Sequence, residues 1–143
     1  MKGERSVDQK IESQIVSAFI INLKKERAKY ELWNEKKRRD FIWKTCERKY
    51  FNERCVRRIT QPISSWQDVY RLLKKNGAPD TCYVLSINEG FDGVTLPLEV
   101  ALEHLVFNGP ALISCIHGKL AYLGEEPTIG PSARYLLIRE QVI

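Results

Sequence analysis

At 143 residues, with 43% hydrophobic and 29% charged content, the chain is long enough to bury a core and too apolar to be a disordered tail. No apolar run approaches the roughly 20 residues of a membrane-spanning helix, and no secretory leader opens the sequence, so a cytoplasmic setting without membrane attachment is expected. The net charge of +5 is one-sided: residues 1–60 hold 17 Lys and Arg against 9 Asp and Glu, while residues 61–143 hold 6 against 9. Such a field attracts a polyanion or an acidic partner and places the contact on the N-terminal part.

Residues 1–7 are expected to be a flexible tail. Asp8 suits an N-cap, and Ile11, Ile15, Phe19, Leu23, Tyr30 and Trp33 recur at helical spacing, which predicts one long amphipathic helix. Lys10, Lys24, Lys25 and Arg27 share its other faces with Glu12, Glu26 and Glu31, as on a solvated surface. Its apolar face is also a candidate for pairing with a second copy of the chain. A second helix is predicted from about 36 to 51, with Ile42, Trp43, Cys46 and Tyr50 inward and Lys37, Lys44 and Arg48 opposite. Arg54, Arg57 and Arg58 follow in a loop or short extended piece.

Beyond Pro62, Ser64 and Gln67 form a capping-box pattern for a helix over about 65–75, and Gly77 suits its left-handed end. Residues 81–87, rich in β-branched and aromatic side chains, predict a central strand. A turn at 88–93 leads to a short helix over about 96–107 with Pro97 in its first turn. Residues 111–116 and 119–123 flank His117-Gly118 as a hairpin, 124–131 reads as a loop, and 133–139 as a last strand. The predicted architecture is one α+β domain over residues 1–143, with a basic helical part (8–60) and a mixed part (61–143). Long N-terminal helices pack with shorter ones on a small, mainly antiparallel sheet of three or four strands.

Four residue sets carry candidate chemistry. The basic segment 36–58 offers Lys37, Arg38, Lys44, Arg48, Arg54, Arg57 and Arg58 for a partner or for nucleic-acid phosphates, interleaved with the rings of Phe41, Trp43, Tyr50 and Phe51. Helical phasing, however, assigns Trp43 and Tyr50 to packing. Cys46, Cys55, Cys82 and Cys115, with His104 and His117, lack the paired spacing of a structural zinc site, so free thiols and no metal are expected. Cys115 or Cys82 with a histidine is a poor nucleophile pair, because His117 falls at a turn tip. Glu89 and Asp92, with Glu125 and Glu126, lie at strand ends where carboxylates serve a cation or act as acid and base, yet no calcium or phosphate-loop pattern accompanies them.

The expectation from these patterns is a noncatalytic cytoplasmic interaction or regulatory factor with an unknown protein partner and no cofactor. Nucleic-acid binding through residues 36–58 is the alternative. A small enzyme using Glu89, Asp92, His117 or Glu125 ranks third.

Overall fold

Asp8 caps the first helix, α1 (Gln9–Phe19), by accepting a hydrogen bond from the Ile11 N–H at 3.1 Å. In this computed structural model residues 8–46, 48–88, 90–125 and 133–139 are described, with the backbone alone at Thr45 and Arg48. The expected tail at 1–7, Glu89, Glu126 and most of the 124–131 loop lie outside the described residues.

The long helix predicted from Asp8 onward is broken. After α1 the chain extends at Ile20, makes a 3-10 turn at Asn22–Lys24 and restarts as α2 (Lys25–Leu32). No glycine or proline marks this break. It is made from a distance: Ile20 forms an isolated antiparallel bridge with Phe51, the Ile21 N–H donates to the Tyr50 carbonyl, and the Asn52 N–H donates to the Phe19 carbonyl. The break resets the helical phase, so α2 buries Ala28 and Leu32 while Leu23 and Tyr30 of the predicted stripe lie exposed. The second predicted helix is also shorter, α3 (Arg38–Thr45), followed by 3-10 turns at Arg48–Tyr50 and Glu53–Cys55.

Helix α4 (Trp66–Lys75) starts at Ser65. Its capping carboxylate belongs to Asp68, which accepts from the N–H groups of Ser64 and Ser65, rather than to Gln67. Gly77 has φ +95 just beyond the helix, a conformation that side chains with a Cβ resist. The remaining elements are β1 (Val56–Arg58), β2 (Thr81–Ser86), β3 (Thr95–Pro97), α5 (Leu98–Leu105), β4 (Ala111–Ile116), β5 (Leu120–Gly124) and β6 (Arg134–Ile138).

All pairings in the six-stranded sheet are antiparallel, in the order β1-β6-β5-β4-β2-β3. The α+β class therefore holds, but the sheet has six strands rather than three or four. The two additional ones, β1 and β3, are three-residue edges, too short to display a period of two in the sequence. The β4–β5 connection is three residues, His117-Gly118-Lys119, with Gly118 at φ +80 and the Lys119 N–H on the Ile116 carbonyl at 2.8 Å.

Helices cover both faces of the sheet. Ile15, Val16 and Phe19 of α1, Ala28 and Leu32 of α2, and Ile42 of α3 pack with Tyr83, Leu85, Leu112, Leu123, Tyr135 and Leu137. Val69 and Leu73 of α4 and Leu98, Leu102 and Leu105 of α5 pack on Val84, Ile113, Tyr122 and Leu136. Adjacent residues thus enter opposite cores, which is why these strands read as continuous apolar runs. The apolar face of α1 considered for self-pairing lies against the sheet. Among the described residues no helix is long and apolar enough to cross a membrane.

Candidate binding groove on the basic helical face

Because α1 ends early, α2 comes to lie beside α3, and the turn at Arg48–Tyr50 returns to the end of α1. These pieces enclose a groove of about 180 Å³ lined by Ile20, Lys24, Arg27, Glu31, Phe41, Lys44 and Tyr50. Lys24, Arg27 and Glu31 come from the α2 side at helical spacing, and Phe41 and Lys44 from one face of α3. Arg27 and Glu31 pair at 3.3 Å. Neither Lys24 nor Lys44 has an ion-pair partner among the described residues. The Tyr50 ring attracts two ammonium groups, Lys24 at 5.9 Å and Lys49 at 5.5 Å from its centroid. The groove therefore combines an aromatic lining with an excess of cations.

The sequence-predicted basic set is only partly brought together here. Lys44 lines the groove; Lys37 is exposed nearby on the α2–α3 side, its ammonium 5.3 Å from the Tyr30 ring centroid. Arg54, Arg57 and Arg58 are exposed on the path that leads from Tyr50 into β1, and Arg57 donates to the Arg54 carbonyl at 2.7 Å. The Arg48 side chain lies outside the described residues. Lys24 and Arg27, which sequence reasoning left on a solvated helix face, belong to the groove. Trp43, expected in the core, is 44% exposed. Its assignment relied on a helix continuing to Tyr50, and the helix ends at Thr45.

Arg38 is a correction to the predicted binding set, because it is turned inward. Its Nε and Nη2 donate to the Asp92 carboxylate at 2.7 and 3.0 Å, its Nη1 and Nη2 donate to Glu12 at 2.8 and 2.7 Å, and Nη1 also reaches the Leu32 carbonyl at 3.0 Å. All five guanidinium N–H groups are thereby satisfied. Glu12, expected on a solvated face, is fully buried and also accepts from the Trp33 indole N–H at 3.1 Å and the Tyr83 hydroxyl at 2.5 Å. Burial alone would lower the Arg38 pKa, but the hydrogen bonds and charges of Glu12 and Asp92 reverse this and leave it raised. Burial, then the hydrogen bond and charge of Glu12, push the Tyr83 phenol up. This network ties α1, α3 and the segment between β2 and β3 together. It leaves neither Arg38 nor Asp92 facing a ligand.

The other candidate sets disperse. His117 hydrogen-bonds Ser114 through Nδ1 at 2.8 Å, at the opposite end of β5 from Glu125, a separation of about 17 Å for a five-residue strand. Glu125 accepts from the Tyr135 hydroxyl at 3.3 Å. His104 stacks at a tilt on Phe91, 5.0 Å between centroids. The four cysteines are free and buried, and burial pushes the thiols of Cys46, Cys82 and Cys115 up to about 12, far from a reactive thiolate. Among the described residues no three His, Cys, Asp or Glu side chains are grouped to hold a metal ion. Compared with known proteins, the chain matches no family, no curated protein and no solved structure.

Proposed function

We propose that the protein is a noncatalytic binding factor that docks a polyanionic partner on the face formed by α2, α3 and the turn at Tyr50. The observation that carries this reading is the groove itself: Lys24 and Lys44 converge on it without ion-pair partners among the described residues. Charges left available in a concave site attract a partner at long range and gain most from neutralisation once it is bound. With Arg38 withdrawn into the core, the groove lining still carries Lys24, Arg27 and Lys44 against the single acid Glu31. A cytoplasmic, reducing setting suits four buried free thiols.

The test is retention on immobilised heparin under a salt gradient. The chain should bind and elute with rising salt, and Lys24→Glu with Lys44→Glu should elute markedly earlier. Lys75→Glu with Lys119→Glu makes the same change of net charge away from the groove and should shift elution much less. Equal shifts for the two pairs would reduce the interaction to net charge and overturn the reading.

A further inference from the structure

We infer that the occupant of the groove is a single-stranded nucleic acid, with one phosphodiester held by Lys24, Arg27 and Lys44 and its base laid against Tyr50 and Phe41. This inference rests on the polyanion reading above and names the ligand class of the same site.

Volume is the first reason. At about 180 Å³ the groove falls below the roughly 300–1,000 Å³ of pockets that enclose a whole small molecule. A ligand therefore lies along the groove with part of one unit inside and continues beyond it, as a repeating polyanion can. The lining residues are the second reason. An acidic peptide offers carboxylates to the lysines and a ring only where its sequence supplies one, whereas every nucleotide couples a phosphate for the cations to a planar base for the aromatic lining. Tyr50 already draws the ammonium groups of Lys24 and Lys49 toward its ring, so the cations and the stacking surface are adjacent by construction.

The surroundings extend the same pattern. Tyr30 of α2 is 61% exposed, with the Lys37 ammonium 5.3 Å from its ring centroid, and adds a ring and a cation on the surface of α2. Beyond Tyr50 the chain carries the exposed Arg54, Arg57 and Arg58, so successive phosphates have cations to follow. A duplex keeps its base faces stacked on one another and cannot use the rings, which selects a single strand.

The experiment is fluorescence anisotropy of a labelled oligothymidylate of about 12 nucleotides, a length within the usual site size, titrated with the full chain at several salt concentrations. Lys24→Gln with Lys44→Gln should weaken binding about tenfold or more and reduce the slope of log K against log salt by up to about 0.7, the contribution of the one phosphate contact these side chains share. Tyr50→Leu, which keeps an apolar side chain toward Phe41, should weaken binding about fivefold or more with the slope unchanged. Lys75→Gln with Lys119→Gln should alter neither, and circular dichroism should be the same for all variants. The matching duplex should bind more weakly, and polyglutamate should not displace the oligonucleotide.

No binding of the oligonucleotide, equal losses in the groove and control variants, or tighter binding of polyglutamate would each overturn the inference. Should heparin retention still depend on Lys24 and Lys44 in any of those cases, the polyanion reading stands and only the nucleic-acid assignment fails.

Discussion

Arg38 was drawn to the surface by its neighbours in sequence, Lys36, Lys37 and Arg39, and to the interior by its phase. Arg38, Ile42 and Cys46 recur at intervals of four, and Glu12, Ile15, Val16 and Phe19 fall at i, i+3, i+4 and i+7, so both charges sit on core stripes. That signal is present in the sequence; what it lacks is the identity of the partner, because Asp92 is 54 residues from Arg38. A buried charge is tolerated only when paired and fully hydrogen-bonded. Arg38→Met should therefore destabilise the fold by about 3–5 kcal/mol, the cost of leaving two carboxylates buried without their cation, measured by urea unfolding. Arg38→Lys should also be destabilising, because a compact ammonium with three donors cannot replace a fork with five. A loss under about 1 kcal/mol for Arg38→Met would show that the carboxylates reach solvent.

The β4–β5 hairpin illustrates the element scale. Its strands and turn were legible from Gly118 and the flanking apolar runs, but its pH response depends on where the tip lands. The His117 ring lies edge-on to Tyr83 and against Ser114, so burial lowers its pKa, with the charge of Asp8 acting in the opposite direction. A histidine whose folded pKa is depressed takes up its proton more readily when unfolded. The stability held with the neutral ring is therefore complete above the ordinary value of about 6.5 and is lost as pH falls through the lower folded value. His117→Asn should show a smaller drop in melting temperature between about pH 7.5 and about pH 5.5 than the parent chain. Equal drops would assign the acid sensitivity to other groups. The helices follow the same logic: α4 has its stop signal in Gly77, whereas α1 is terminated by pairing of Ile20 with Phe51, for which the local sequence has no counterpart.

At the scale of the whole molecule, the sheet is shared by two helical layers, and alternate residues of each inner strand enter different cores. Separating residues 8–60 from 61–139 would uncover Tyr83, Leu85, Leu112 and Leu123 together. Urea unfolding should accordingly be one transition, with tryptophan fluorescence and far-ultraviolet circular dichroism giving the same midpoint; midpoints that differ would mean two units that fold apart. The sequence by itself determined the α+β class, four of the six strands and the α4 and α5 helices, because hydrophobic period, caps and turn glycines act locally, and it confines the basic excess to the N-terminal part of the chain. Only the tertiary structure decided where the first helix breaks, that Arg38 and Glu12 neutralise one another inside, and that Lys24, Arg27, Lys44 and Tyr50 share a groove. Those outcomes depend on contacts between residues far apart in the chain, and such contacts override local propensity when they bury apolar surface or pair a buried charge.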